Sequence, residues 1–147
     1  MAVEDLDEML NLRSGLAGIC GKNDMRTITE RAEQGDARSK LALEMFCYRI
    51  RKYIGSYTAV LGGADCIVFT GGIGENSPVV RQMSCTGLEH MGIVVDETEN
   101  RTQADGIFGF HAADSSVKML VVPTDEELEI AIQTLKVLNA KKGWKYD

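Results

Sequence analysis

Apolar residues in the first part of the chain recur every three or four positions, which is the spacing of amphipathic helices. The pattern predicts helices over residues 3–10, 25–34 and 37–61. Asp24 and Asp36 precede the second and third of these helices and are typical N-caps, while Gly62 is a typical C-terminal stop. Residues 13–23, which several glycines interrupt, are expected to form a connector.

Short apolar runs in the second part of the chain predict strands separated by helices or loops. The predicted elements are strands over 66–70, 93–95, 107–110 and 117–122, and a helix over 78–91. Ser77 and Pro78 are typical of the start of that helix. A last helix is expected after Thr124, with Glu127 completing a capping box. The polar residues 96–106 are expected to form a loop.

The alternation of helices and strands predicts one layered α/β domain over residues 1–147, with a mostly parallel sheet and flanking helices. The length and the 44% hydrophobic content are sufficient for a single buried core. The sequence has no internal repeat, low-complexity tract or linker, so a second domain is not expected.

Composition and charge restrict the class of partner. The formal net charge is −6, from 22 acidic and 16 basic residues, which argues against non-specific nucleic-acid binding because such binding needs a basic face. No apolar run approaches the length of a membrane span. The four cysteines show neither a C-x-x-C pair nor a metal-ligand spacing, which is typical of a reducing cytosol, and Cys47 and Cys66 are expected to be buried thiols. The expected location is cytoplasmic.

A glycine-rich segment lies between a predicted strand and a predicted helix, in CIVFTGGIGENSPVVRQ at 66–82. It lacks the lysine of a Walker loop and the third glycine of a dinucleotide fingerprint, so it is neither standard phosphate loop. One interpretation is a tight connection in which glycine only relieves the backbone. The other is a binding segment in which Gly72 and Gly74 admit a flat or sugar-bearing ligand and Glu75 and Asn76 form hydrogen bonds to it.

Acidic residues follow the last predicted strand, in VVPTDEELEIA at 121–131. Asp125 and Glu126 lie at the carboxyl end of that strand, where open α/β sheets bind ligands. A carboxylate there suits Mg²⁺, held directly or through water. Alternatively, both acids only complement the dipole of the following helix.

A third candidate segment is GKNDMRTI at 21–28. Asp24 is expected to cap the helix. Met25 offers an apolar face to a ring, although a core position is the usual one for methionine. Arg26 suits a phosphate or a base, or it is simply a solvated helix residue.

Three segments in this order, SGLAGICGKNDMR, DCIVFTGGIGENSPVVR and VVPTDEEL, resemble the C-terminal half of acetate kinases. The resemblance extends from about Val3 to Thr134, and the TGGIGEN block is highly specific. Propionate kinases share these segments, and butyrate kinases are more distant relatives. The resemblance implies the actin-like ATPase fold of acetate and sugar kinases, heat-shock chaperones and actin, of which this chain is expected to form one three-layer half.

The resemblance also implies a site for ATP or ADP with Mg²⁺. Asp24, Met25 and Arg26 are expected to form one wall of the adenosine pocket. The other wall is expected to consist of Gly72, Ile73, Gly74, Glu75 and Asn76. Glu126 matches the family's magnesium-associated glutamate, and Asp125 stands before it where the family has asparagine.

The implied reaction is ATP + acetate ⇌ ADP + acetyl phosphate. In such enzymes the first half carries the acetate pocket and the groups that stabilise the transferred phosphoryl group, so no catalytic residue is expected in these 147 residues. His90 and His111 lie late in a predicted helix and in a predicted loop, and neither suits catalysis. The implied partners are an adenine nucleotide, a second copy in a homodimer, and acetate only with the missing N-terminal half.

Two other interpretations remain open at this point. The chain is equally compatible with a fragment of a propionate kinase, because the acyl pocket belongs to the missing half. It is also compatible with a stand-alone module that binds nucleotide or dimerises without catalysis. The apolar stripe of the long predicted helix, which includes Phe46, Tyr53 and Tyr57, suits either an ordinary core or a contact shared with a partner.

Overall fold

The structure is a computed structural model that describes residues 2–102 and 104–141. Its helices are α1 (Val3–Leu12), α2 (Gly15–Cys20), α3 (Met25–Glu33), α4 (Ala37–Leu61), α5 (Gly71–Asn76), α6 (Pro78–Cys85), α7 (Glu97–Arg101) and α8 (Glu126–Lys141), with a single 3₁₀ turn at Glu89–Met91. Its strands are β1 (Cys66–Phe69), β2 (Phe108–Gly109) and β3 (Lys118–Val121). The predicted α/β class is confirmed.

The three strands form a small mixed sheet in the order β1-β3-β2. β1 and β3 are parallel, with Cys66 opposite Lys118 at one end of the pairing. β2 pairs with β3 in the antiparallel direction, so the sheet is less parallel than predicted. The strand predicted over 93–95 is reduced to an isolated bridge between Val95 and His111.

Helix ends that depend on local sequence agree with the predictions. The Asp24 carboxylate accepts hydrogen bonds from the backbone N–H groups of Arg26 and Thr27 and so caps α3. Asp36 caps α4 in the same manner. Gly62 ends α4 in the left-handed conformation, with φ of 75°, which a residue with a side chain rarely adopts.

Several predicted elements differ from the structure. The connector over 13–23 contains α2, and the loop over 96–106 contains α7, which Asp96 caps. The helix predicted over 78–91 ends at Cys85. The glycine-rich segment is not a turn but the short helix α5.

Two apolar clusters form the core. The first covers the inner face of the sheet, and its buried members are Phe69, Cys85, Leu88, Ile93, Phe110, Val117, Met119 and Val121. The second lies among α2, α3, α4 and α6, and its buried members are Cys20, Met25, Ile28, Ala42, Leu43, Cys47 and Val80. Because α6 contributes to both clusters, it holds the sheet and the helices together.

The outer face of the sheet is open among the described residues. Val68 is 52% exposed, and Cys66, which was expected in the core, is also exposed, so that prediction was wrong. The apolar residues of α8 are exposed as well, namely Leu128, Ile130, Ile132, Leu135, Val137 and Leu138. The described residues therefore cover one face of the sheet and leave the other uncovered.

Candidate functional site

A cleft of about 590 Å³ lies between the start of α3 and the segment formed by α5 and the start of α6. Six of the eight residues predicted to contact nucleotide line it: Asp24, Met25, Arg26, Gly72, Ile73 and Asn76. The two segments are more than forty residues apart in sequence. They meet because α3 and α6 both pack in the second apolar cluster.

The α3 wall of the cleft combines a fixed carboxylate with an accessible guanidinium. One Asp24 oxygen caps the helix, and the other accepts a hydrogen bond from Arg26 Nη2 at 3.0 Å. The hydrogen bond from Arg26, followed by that from the Thr27 N–H, lowers the pKa of Asp24 to about 2. The Arg26 side chain is 86% exposed, so its remaining N–H groups are free to reach a ligand.

Met25 forms part of the floor of the cleft. It is only 6% exposed and packs in the second cluster beside Ile28 and Val80. Ile73, from the opposite wall, also packs against this cluster. The cleft therefore has an apolar base, and Met25 is primarily a core residue with one edge at the surface.

Gly72 and Asn76 form the accessible part of the α5 wall. A Cβ placed on Gly72 meets no other atom within 4 Å, so the backbone there borders open space. Asn76 lies one turn further along, and its side-chain amide donates to the Gly72 carbonyl at 2.9 Å. Both residues can be approached by a ligand in the cleft.

Gly74, by contrast, faces the sheet. A Cβ on Gly74 would lie 3.2 Å from the carbonyl carbon of Phe69, which is closer than ordinary van der Waals contact. The absence of a side chain lets α5 pack closely against the end of β1. Gly74 does not line the cleft with Gly72.

Glu75 also has a structural position. Its Oε1 atom accepts hydrogen bonds from the Gly71 N–H at 2.8 Å and from both the N–H and the hydroxyl of Thr124 at 2.9 Å. The Thr124 N–H, then its hydroxyl, are the largest causes that lower the pKa of Glu75. Glu75 thus links the segments that follow β1 and β3 at the carboxyl ends of the parallel strands.

This use of Thr124 changes the predicted capping of the last helix. The helix N-cap contact is made by Asp125, whose carboxylate accepts from the Leu128 N–H at 2.8 Å. Thr124 donates to Glu75 instead of capping the helix, so the predicted capping box of Thr124 with Glu127 was wrong.

Sequence reasoning missed Arg81. This residue of α6 is 1% exposed, and its guanidinium donates to the carbonyls of Gly74 and Glu75 and to the side chain and carbonyl of Asn100. Burial lowers the pKa of Arg81. The one sequence signal was a basic residue next to Val80 on the apolar side of a predicted helix.

Glu126 is the first residue of α8 and is exposed. Within residues 2–102 and 104–141, no three histidine, cysteine, aspartate or glutamate side chains are grouped as a metal site. A single accessible carboxylate still suits Mg²⁺ that is held mainly by nucleotide phosphates and water. Glu126 therefore fits the role of one ligand and not that of a complete protein site.

His90, His111 and the thiols of Cys47 and Cys85 do not line the cleft. His111 lies within hydrogen-bond distance of the Met119 backbone, at 3.3 Å, and His90 is in the 3₁₀ turn. Burial raises the pKa of Cys47 and raises that of Cys85 to about 12, which keeps both thiols protonated. No helix in the described part of the chain is long and apolar enough to cross a membrane.

Solved structures that superpose on this chain include acetate and propionate kinases of the actin-like fold. An acetate kinase from Porphyromonas gingivalis superposes with a TM-score of 0.81 at 40% identity, over 94% of this chain and 35% of that chain. A propionate kinase from Francisella tularensis gives 0.80 at 38% identity, over 89% and 33% of the respective chains. The predicted actin-like fold is thereby confirmed.

The sequence comparisons narrow this class to one family. The acetokinase family model matches residues 1–132. An acetate kinase from Syntrophobacter fumaroxidans is 58% identical over 135 residues, which cover 92% of this chain and 33% of the relative. This chain belongs to the acetokinase family. It spans about a third of the length of the curated relatives it matches. The prediction that the chain corresponds to half of such an enzyme was therefore too large.

Proposed function

We propose that this chain supplies the adenine-nucleotide side of an acetate kinase, which catalyses ATP + acetate ⇌ ADP + acetyl phosphate. The observation that carries the proposal is the cleft of about 590 Å³ that brings Asp24, Met25 and Arg26 together with Gly72, Ile73 and Asn76. Its volume is within the usual range for small-ligand sites, roughly 300–1,000 Å³. Membership of the acetokinase family supports the same reaction class.

The chemistry of the cleft suits a nucleotide. Its apolar base, from Met25 and Ile73, can pack against a purine ring. Gly72 leaves space for a sugar to approach the backbone, and Asn76 offers amide donor and acceptor groups. The Arg26 guanidinium can pair with a phosphate or stack on the base. Gly74 and Glu75 act behind this wall, as packing and hydrogen-bonding supports of α5.

Glu126 is the candidate magnesium ligand. When bound with the nucleotide, Mg²⁺ neutralises charge on the phosphates during phosphoryl transfer. The chain's own contribution is one carboxylate at the start of α8, which Asp125 holds in helical geometry through its cap to Leu128.

We further propose that the chain corresponds to the nucleotide-binding part of the enzyme and that the remaining part supplies the acetate pocket and the phosphoryl-stabilising groups. The chain covers only about a third of the length of its curated relatives, which supports this division. The isolated chain is then inactive as a kinase. The complete enzyme is proposed to be a cytoplasmic homodimer.

Propionate kinase is the second candidate. It is favoured by the nearly equal superposition on the Francisella tularensis propionate kinase, with a TM-score of 0.80 against 0.81 for the acetate kinase. The acyl group is not contacted by the proposed nucleotide cleft, so both candidates predict the same behaviour of this chain toward ADP.

Nuclear magnetic resonance of the isotopically labelled chain titrated with Mg-ADP tests the proposed site. We expect the amide signals of residues 24–26 and 72–76 to shift in a saturable manner. Replacement of Mg²⁺ by paramagnetic Mn²⁺ should broaden the signals near Glu126 only when ADP is present. Shifts confined to other parts of the chain would place the nucleotide elsewhere and contradict the proposal.

A further inference from the structure

The buried guanidinium of Arg81 is neutralised by no carboxylate among the described ion pairs. Burial of a charge without compensation is costly. The compensation here comes from four oxygen acceptors and from two aromatic faces, since the Arg81 guanidinium lies 5.7 Å from the ring centroid of Phe108 and 5.4 Å from that of Phe110. The structural role of Arg81 is therefore given by the groups that accept its hydrogen bonds.

Two of these acceptors are backbone carbonyls in the last turn of α5. Arg81 Nη1 donates to the Gly74 carbonyl at 2.9 Å and to the Glu75 carbonyl at 2.8 Å. The terminal carbonyls of a helix have no partner within the helix. The preceding Ile73 carbonyl accepts from the Ser77 N–H. Arg81 thus satisfies two of the carbonyls in the last turn of α5 that accept no backbone hydrogen bond from the described residues.

The opposite side of the guanidinium is anchored to α7. Arg81 Nε donates to Asn100 Oδ1 at 2.8 Å, and Nη2 donates to the Asn100 carbonyl at 2.6 Å. The Asn100 side-chain amide in turn donates to the Pro78 carbonyl at 2.9 Å. Arg81 therefore connects α5 to Asn100 of α7, which is itself hydrogen-bonded to the start of α6.

Such a connection matters because α5 is weak by itself. It has six residues, of which Gly71, Gly72 and Gly74 are glycines. Helices of this length and composition are unstable without tertiary contacts. The Glu75 carboxylate fixes the first amide of α5, and Arg81 fixes its last carbonyls.

We propose that Arg81 is a positioning residue for the nucleotide cleft, because it holds α5 in the place where Gly72, Ile73 and Asn76 form the cleft wall. That the ligand of this cleft is a nucleotide rests on the proposed function. Arg81 itself does not line the cleft. The proposal makes one specific structural claim, which is that removal of the guanidinium loosens α5 beyond any loss of global stability.

The test compares Arg81→Met and Arg81→Lys with Arg51→Met in this chain. Arg51 is a matched control because its guanidinium also donates to a backbone carbonyl, that of Met83, but connects α4 to α6. Hydrogen exchange at the amides of residues 75–77 is measured together with the global stability of each variant. Affinity for Mg-ADP is measured by calorimetry.

In Arg81→Met we expect exchange at residues 75–77 to rise about tenfold or more beyond the change that global stability explains, since hydrogen bonds to charged groups are the strong ones. Arg81→Lys should recover part of the protection, because an ammonium group can still reach a carbonyl. Arg51→Met should change exchange only in proportion to global stability. Mg-ADP affinity should fall in the order wild type, Arg81→Lys, Arg81→Met.

Exchange at residues 75–77 that follows global stability alike in all three variants would overturn the proposal. If Arg81→Met does not fold, the same comparison of Arg81→Lys with Arg51→Met decides. If the wild-type chain does not bind Mg-ADP, the proposed function fails in this chain, whereas the exchange measurement still accepts or rejects the positioning role of Arg81.

Discussion

At the scale of single residues, the two ends of α5 depend on two side chains of opposite charge. The Glu75 carboxylate accepts three hydrogen bonds, two from Thr124 and one from the Gly71 N–H at the start of α5. Arg81 donates to the carbonyls of the last turn. The glycines allow α5 to lie close to β1 and to border the cleft, but they also destabilise a helix. The hydrogen bonds of the Glu75 carboxylate and of the Arg81 guanidinium offset that loss of stability.

The role of Glu75 predicts a particular dependence of stability on pH. Because its pKa in the folded chain is lowered from 4.5, the stabilisation is fully present above pH 4.5 and is lost as the pH falls through the lowered value. We expect Glu75→Gln to lower the melting temperature at pH 7, and the difference from wild type to shrink at acidic pH. Thermal unfolding followed by circular dichroism from pH 7 to pH 3 measures this difference.

Glu127→Gln is the control for that measurement. Glu127 is exposed on α8, so the melting temperature of this variant should stay close to that of the wild type. If Glu75→Gln and Glu127→Gln behave alike, the hydrogen bonds of Glu75 contribute nothing to the fold.

The residues also show which parts of the site could be predicted from sequence. Asp24 and Asp36 cap helices through contacts within three residues, so local sequence was sufficient. Glu75 contacts Thr124 over 49 residues, and no local pattern signals such a pair. For the same reason α5 was predicted as a turn, since its glycines disfavour a helix unless distant groups support it.

At the scale of elements, α3 is firmly packed and α8 is not. Ile28 on α3 is fully buried, whereas Leu135 on α8 is 60% exposed. The apolar spacing of both helices is regular, and spacing alone does not tell whether the covering surface belongs to the same chain. The same limit explains Cys66, whose apolar neighbours suggested a core position on a face that the described residues leave open.

This difference predicts unequal effects of two alanine substitutions. Ile28→Ala should lower the free energy of unfolding by about 2–5 kcal/mol, because it creates a cavity in the second cluster. Leu135→Ala should change it by less than about 0.5 kcal/mol in this chain, as is usual for exposed positions. Chemical denaturation of both variants gives the two values, and a large loss in Leu135→Ala would contradict the exposure of α8.

At the scale of the whole molecule, the chain is one portion of a larger family fold. It covers about a third of the length of its relatives, and its described sheet has three strands with one open face. The fold class could be predicted because helices and strands alternate in sequence. The mixed sheet could not be predicted, because β2 has only two residues and its sequence does not indicate whether it runs parallel or antiparallel to β3.

Calorimetric titration with Mg-ADP is the most direct test of the central claim, which is that the cleft between α3 and α5 binds an adenine nucleotide. The variant is Gly72→Val, because Gly72 lines the cleft and a Cβ there borders open space. Gly55→Val on α4 is the matched control, since that helical glycine also borders open space. We expect saturable binding by the wild type and by Gly55→Val, and binding at least about tenfold weaker in Gly72→Val, which corresponds to about 1.4 kcal/mol. Equal affinity in all three proteins, or no binding by the folded wild-type chain, would contradict it.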